Sequence, residues 1–504
     1  MFIRRLKSKN GKTYIQVVIK SSGRYKVLKS FGGSFDELEV DHLVTEAQKW
    51  IADYTGDQEL DFSNSNYLIE RLFDSITQMN RIGFDLLLGR IFDEIGFNKI
   101  NDEIFKQLVL CRISYPRSKL KTTEYLYRYK QLKWSEDQVY RYLDKLYNIQ
   151  KEMVQRISYE HTLKILNRHL NVVFYDVTTL YFEIDQEDEL RKTGFSKEGR
   201  HQNPQIVLGL LVSQNGYPLA YDIFEGNKFE GHTMLPVLDT FKEKYQLKQL
   251  AIIADSGLLS NPNIEELQKK GYEFILGARI KNETEQVKKQ ILALKLENGQ
   301  SAVIRKDGLR LIISYSDDRA KKDRYNRDKG LRKLEKQIKT GRLTKANINN
   351  RGYNKFLKLE GEIKIAIDHE KLDNDSKWDG LKGYLTNAKL DKDQIIENYG
   401  QLWQVEKAFR IAKHDLRIRP VYHRLQRRIE AHICISFVAY KVYKELERQL
   451  KIKNAQISAE KAIDIAESIF EFQIIMPQNG QTINKTLLLT EEQKYLASIF
   501  NFGC

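Results

Sequence analysis

The chain has 504 residues, 41% hydrophobic and 11% aromatic with only 7 prolines, which excludes a disordered or fibrous protein and predicts roughly two to four domains. No apolar run approaches the roughly 18 residues of a spanning helix, and "MFIRRLKSKNGK" is charged from its fourth residue, so a soluble cytoplasmic protein is expected. Lys plus Arg outnumber Asp plus Glu by 83 to 68, and 15 basic against 3 acidic residues fall between Arg319 and Lys358, which points to a polyanionic partner.

Residues 1 to about 33 predict a small β-meander, with Asn10-Gly11 as a hairpin signal and "TYIQVVI" and "YKVLKSF" as the later strands. Roughly 66–169 reads as helical. Within it Ser135 and Gln138 make an S-x-x-Q capping box ahead of Val139, Leu143, Leu146 and Met153. Between Arg112 and Lys133, 7 basic residues and one acid interleave with Tyr115, Tyr125, Tyr127 and Tyr129, a mixture that suits phosphate contact with stacking and equally a plain surface helix. From 170 the period turns strand-like. "VVFYDVTTLYF", "QIVLGLLV" and "PLAYDIF" read as three consecutive strands, followed by a helix near His232 to Tyr245, the strand "LAIIADSG", the helix "NPNIEELQKKG" and the strand "YEFILGAR". This order predicts an α/β mixed sheet. After Arg279 the pattern changes to a hairpin turning at Asp307-Gly308, a basic helix with Leu331, Leu334 and Ile338 at helical spacing, and the strand "EIKIAI". The α/β pattern resumes near "GYLTN", so the basic segment reads as inserted.

Asp176 is a carboxylate inside the apolar run Val172–Val177, and an ionised carboxylate in such a place must be paired, metal-bound or protonated. Asp255 ends "LAIIAD", at the strand edge where open α/β sheets carry their sites. A third carboxylate lies in "YGQLWQVEKAFRIAKHDL". At 100° per residue, Tyr399, Trp403, Glu406, Arg410 and Lys413 fall within about 80° of arc beside an apolar stripe of Leu402, Val405, Phe409 and Ala412. Three hard oxygen ligands suit Mg²⁺ or Mn²⁺, as two ions roughly 3.5 to 4 Å apart that serve phosphoryl transfer. Glu183, Asp185, Glu187, Asp188 and Glu189 read instead as a solvated loop. His414, His423 and His432 are nine apart, which turns successive rings to opposite helix faces and speaks against zinc. The cysteines, Cys111, Cys434 and Cys504, are too scattered for a metal knuckle or a disulfide framework and fit a reducing compartment.

The order strand-Asp176, strand-Asp255, inserted β-rich segment, helix-Glu406 resembles the DDE transposases of bacterial insertion sequences. Tyr399, Glu406 and Lys413 match the spacing of the Tyr-(2)-Arg-(3)-Glu-(6)-Lys signature of one branch. The resemblance runs from about 170 to 440 through "YDVTTLYFE", "GFSKEGRHQNPQIVLGLLV", "FEGNKFEGHT", "IADSGLLS", "WDGLKGYLTN" and "RIRPVYHR". It implies an RNase H-like core and an enzyme that binds the terminal inverted repeats of its own element, frees a 3′-OH and joins it to target DNA. Asp176, Asp255 and Glu406 would hold the metals. Tyr399 and Lys413 would contact phosphates near the cut, and Trp403 would stack on a displaced base. Leu402 stands at the signature's Arg position, and Arg410 is the candidate to replace it.

The expected division is a β-rich domain at 1–62, a helical DNA-binding domain at 66–169, a catalytic core at 170–280 and 384–440, an insertion at 281–383 and a mainly helical region at 441–504. In the insertion, Lys321, Lys322, Arg324, Arg332, Lys333 and Lys336 are the expected contacts to double-stranded DNA, with a homodimer holding the element's ends in a nucleoid-associated complex. The alternatives are an RNase H-fold nuclease or resolvase without strand transfer, and a non-enzymatic DNA-binding protein derived from a transposase.

Overall fold

The computed structural model describes residues 1–21, 23–55, 73–184, 186–196, 199–247, 250–258, 260–349, 352–360, 364–476 and 480–502. The expected boundaries at 62 and 66, Asp185 of the acidic loop and Cys504 lie outside the described residues. The chain forms two compact units, one from Met1–Leu87, Tyr125–Lys133 and Glu460–Cys504, the other from Leu88–Glu124 and Trp134–Ala459.

In the first unit, β1 (Phe2–Lys7), β2 (Thr13–Ser21) and β3 (Arg24–Ser34) form the antiparallel meander, and Gly11 takes a φ of 87° at its first turn. Alternation along β2 turns Ile15 and Val17 inward against Val40 and Ala47 of the helix Glu37–Thr55. A second sheet adds one strand to the region read as helical at 66–169 and two to the mainly helical region at 441–504. There β4 (Ile76–Arg81) pairs antiparallel with Phe470–Ile475, which pairs in turn with Thr482–Leu487. "ITQMNR" has no alternating apolar face of its own, and pairing to a segment nearly four hundred residues away decides its state. In the same unit the Arg81 guanidinium lies 4.3 Å from the Tyr129 ring centroid and 5.8 Å from that of Tyr125. Two of the tyrosines expected to stack on a partner thus pack internally.

The second unit is mixed α/β around one eight-stranded sheet. Its strands are β5 (Val172–Tyr181), β6 (Gln205–Ser213), β7 (Pro218–Glu225), β8 (Ala251–Ala254), β9 (Glu273–Ala278), β10 (Ser301–Lys306), β11 (Leu309–Tyr315) and, after a two-stranded ribbon of β12 (Leu357–Glu360) and β13 (Lys364–Ile367), β14 (Leu381–Thr386). The order is β10-β11-β14-β9-β8-β5-β6-β7, with β5–β8 and β8–β9 parallel and every other pair antiparallel. Asp307 and Gly308 both take positive φ, 50° and 75°, as a two-residue primed turn requires. The hairpin they close belongs to the central sheet, so only the stretch between Tyr315 and Leu381 departs from it. There the basic helix Asp317–Lys339 packs Leu334 against Phe356 and Leu357. The Ser135–Gln138 capping box is present. A helix at Gln426–Ile452, buried along much of its length, runs across the expected limit at 440. Cys111 and Cys434 are both buried.

Three histidines of this unit, His432 buried and His161 and His423 half-buried, predict acid sensitivity. Burial, with Lys441 beside it, holds His161 down at about 3. Burial with Lys119 and Arg112 nearby holds His423 at about 3 and His432 well below its ordinary value. Each folded-state pKa lies below the unfolded value near 6.5, so below that pH the unfolded chain binds protons that the folded one refuses. Stability is full above about pH 6.5 and should fall as pH drops toward 3, by up to about 4 kcal/mol per pH unit when all three contribute. Urea midpoints at about pH 7.5 and about pH 5.5 check this, and equal midpoints would refute it.

Candidate active site

Asp176 lies half-buried in β5, where its Oδ1 accepts the Val177 N–H at 2.8 Å. β5 and β8 run parallel with Tyr175 opposite Ala254, so the next rung brings Asp255 beside Asp176, on strands about 4.8 Å apart. β8 ends at Ala254, which frees Asp255 from the ladder. Its Oδ1 accepts the Ser256 N–H at 2.7 Å and the Tyr399 hydroxyl at 3.2 Å. Gly277 permits that approach, because a Cβ there would collide with the Tyr399 hydroxyl.

Glu406 is exposed on the helix Trp403–His414, which packs Val405, Ala408 and Phe409 inward and rests against β5 and β6. Tyr399 is on a separate helix, Lys392–Gly400, and the chain turns at Gln401 and Leu402 between the two. The single continuous helix expected from 399 onward is therefore two. Glycine at 400 weakens helix continuation, and Leu402, only 7% exposed, is drawn into the core. Tyr399 is buried, Trp403 is 47% exposed, Arg410 is exposed and Lys413 is half-buried. Burial and then Asp255 raise the Tyr399 phenol far above its usual range, with Glu406 adding to the effect.

Sequence reasoning missed Lys382. Its Nζ stands 4.4 Å from the Tyr399 ring centroid and 5.4 Å from that of Tyr384. Burial and then Arg319 lower its pKa, while Asp255 and Glu406 oppose the shift. In "DGLKGYLTN" it was legible only as a polar residue in a strand that alternates. Glu230 was missed too, and its Oε2 lies 3.8 Å from where a Cβ on Gly257 would stand.

The donor chemistry of Asp176, Asp255 and Glu406 fits a hard divalent ion. The three share a neighbourhood without closing round one point, for among the described residues no three His, Cys, Asp or Glu side chains converge as an ion would require.

A model of the transposase DDE domain matches residues 167–441, more than half of the chain. The chain belongs to the transposase DDE domain family. No curated protein matches it. Among solved structures, the piggyBac transposase synaptic complex with hairpin DNA is 9% identical, covering 78% of this chain and 80% of that one at a TM-score of 0.38. The Mos1 transposase paired-end complex with left transposon end is 13% identical, covering 34% and 58% at a TM-score of 0.16.

Elsewhere in the transposase domain the expected site residues separate. Lys321, Lys322, Arg324, Arg332, Lys333 and Lys336 are all exposed on the basic helix. His423 and His432, expected to face apart, have ring centroids 5.4 Å apart, because His423 precedes the helix that carries His432. Arg112 Nη2 lies 3.3 Å from His432 Nδ1, and His432 Nε2 lies 3.0 Å from the Ile418 carbonyl oxygen, an arrangement that ties down the chain after the Glu406 helix. In the acidic loop, Glu187 accepts from Thr193 and Asp188 from Arg191, so both serve local structure.

The close approach at Gly277 gives a coupled expectation. Gly277→Ala should cost about 1–3 kcal/mol of stability in the native chain and clearly less in a Tyr399→Phe background, where the colliding oxygen is gone. Melting the two singles and the double checks it. Strictly additive losses would show that the hydroxyl does not stand where Gly277 admits it.

Proposed function

We propose that the protein is a DNA transposase that binds the terminal inverted repeats of its element, cleaves a strand there and transfers it to target DNA. The observation that carries this reading is the juxtaposition of Asp176 and Asp255 on neighbouring parallel strands, with Glu406 on a helix laid against β5, in a chain of the transposase DDE domain family. We read β7-β6-β5-β8-β9, three antiparallel strands continued by two parallel ones, as an RNase H-like core.

Asp176, Asp255 and Glu406 would hold two Mg²⁺ or Mn²⁺ ions. When bound, such ions activate the attacking oxygen and stabilise the leaving one. The chain's own residues do the rest. Tyr399 orients Asp255 through its hydroxyl, a role closer to the carboxylate than the phosphate contact expected for it. Trp403 offers an exposed ring to a displaced base, while Lys413 and Arg410 extend the same helix toward the DNA backbone. The exposed cations of the basic helix contact duplex phosphates, and two copies hold the two ends, in the cytoplasm at the nucleoid.

Asp176→Ala, Asp255→Ala and Glu406→Ala should each reduce metal-dependent cleavage of a terminal-repeat duplex by at least about a thousandfold while DNA binding persists. Near-native cleavage by any one removes that residue from the triad. Arg410→Ala should lose about tenfold or more in cleavage at unchanged melting temperature. Leu402→Ala should instead lose about 2–4 kcal/mol of stability, with activity per folded molecule kept. The reverse pattern would refute Arg410 as the replacement for the signature's Arg.

A further inference from the structure

Topology brings several strand ends to the edge that carries Asp255. β9 leaves that edge at Ala278, paired with Gly383 of β14, which places Lys382 beside Arg279 one rung further out. β11 ends there as well, with Tyr315 opposite Leu381, and four residues later Arg319 lies in the first turn of the basic helix. Between these strand ends and the inserted segment lies a cleft of about 790 Å³, whose wall includes Ser256, the residue after Asp255.

The cations of this cleft fall into two groups. Arg327 forms a two-pronged pair with Asp379, their side chains 9% and 12% exposed, and Lys281 and Lys355 both hold Asp375 at 2.8 Å. Those charges are spent on the walls. Lys382 and Arg279 make no ion pair among the described residues, while Arg319 donates its Nε to the Leu381 carbonyl oxygen at 3.2 Å and stands 3.7 Å from Asp323. Burial of the Lys382 ammonium is unfavourable to stability, and the carboxylates of Asp255 and Glu406 and the Tyr399 ring offset only part of that. The placement makes sense if an anion completes it.

We propose that Lys382, Arg279 and Arg319 form a clamp for the backbone phosphates of the DNA strand next to the bond broken at Asp255. The clamp rests on the transposase reading for its ligand and, for its place, on the strand ends that bring these three cations to the edge of Asp255. A backbone entering this cleft passes Ser256, next to Asp255. Lys382 and Arg279, on neighbouring strands about 4.8 Å apart, can grip the same phosphate.

The test uses the full chain and two probes. Binding of a short fluorescein-labelled, mixed-sequence duplex with a single-stranded overhang is followed by anisotropy across a salt series, and cleavage is followed on the element's own terminal-repeat duplex with Mg²⁺. Lys382→Met and Arg279→Gln should each lower the salt slope by about one unit and slow cleavage about tenfold or more. The melting temperature of Lys382→Met should hold or rise, which a structural lysine would not allow, and Lys382→Arg should restore the slope. Arg327→Gln should lower the melting temperature. An unchanged slope in Lys382→Met overturns the clamp whether or not the native chain cleaves. A lowered slope in the variants with no metal-dependent cleavage by the native chain supports the clamp and overturns the transposase reading.

Discussion

Two carboxylates side by side on neighbouring parallel strands are the constraint to which the rest of this site answers. At about 5 Å and an effective dielectric near 20, two such charges oppose each other by about 3 kcal/mol. The fold meets this locally. Asp176 and Asp255 each accept the N–H of the residue that follows, and Asp255 takes the Tyr399 hydroxyl besides. The strands that carry the pair can bear the strain because Val173, Tyr175, Ile252 and Ala254 are fully buried in the central core.

The insertion answers the same constraint from the other side. It leaves the sheet at Tyr315 and returns at Leu381, two residues paired across one rung, so the ladder does not register what lies between them. A long excursion from such a point adds little closure entropy, since that grows only with the logarithm of length. It also delivers its charge to one place. The rung where the chain leaves and re-enters lies at the edge that bears Asp255, so cations close to the two ends of the excursion, Arg319 and Lys382, fall near the carboxylates.

Much of the α/β order was legible because each strand of the core is a short apolar run bounded by turn residues, and because Asp176 and Asp255 contradict their surroundings. What escaped depends on distant partners. "ITQMNR" becomes a strand only when Phe470–Ile475 arrives, and two of the tyrosines before Lys133 lose their outward role to Arg81. Nine-residue spacing separated His423 from His432 only on the assumption of one helix, and a loop removed it. Lys382 looked like any polar residue in an alternating strand. Its meaning lies in the register of β14 on β9, which a single sequence does not print.

The turn at Gln401 and Leu402 bears on where positive charge can come from. In one continuous helix, position 402 would lie on the flank of Tyr399 and Glu406, and a guanidinium there would reach over the site. Here the position is buried beside Val405 and Phe409, and an unpaired guanidinium in that place would be strongly destabilising. The cation whose field reaches both Glu406 and Asp255 stands across the site instead, on β14. Sheet register rather than helix phase then fixes its position. The exchange also replaces a planar fork, which fits one orientation of a phosphate, with an ammonium that accepts it from many directions. An ammonium at this register position keeps its reach over a wider range of ligand orientations than a fork would.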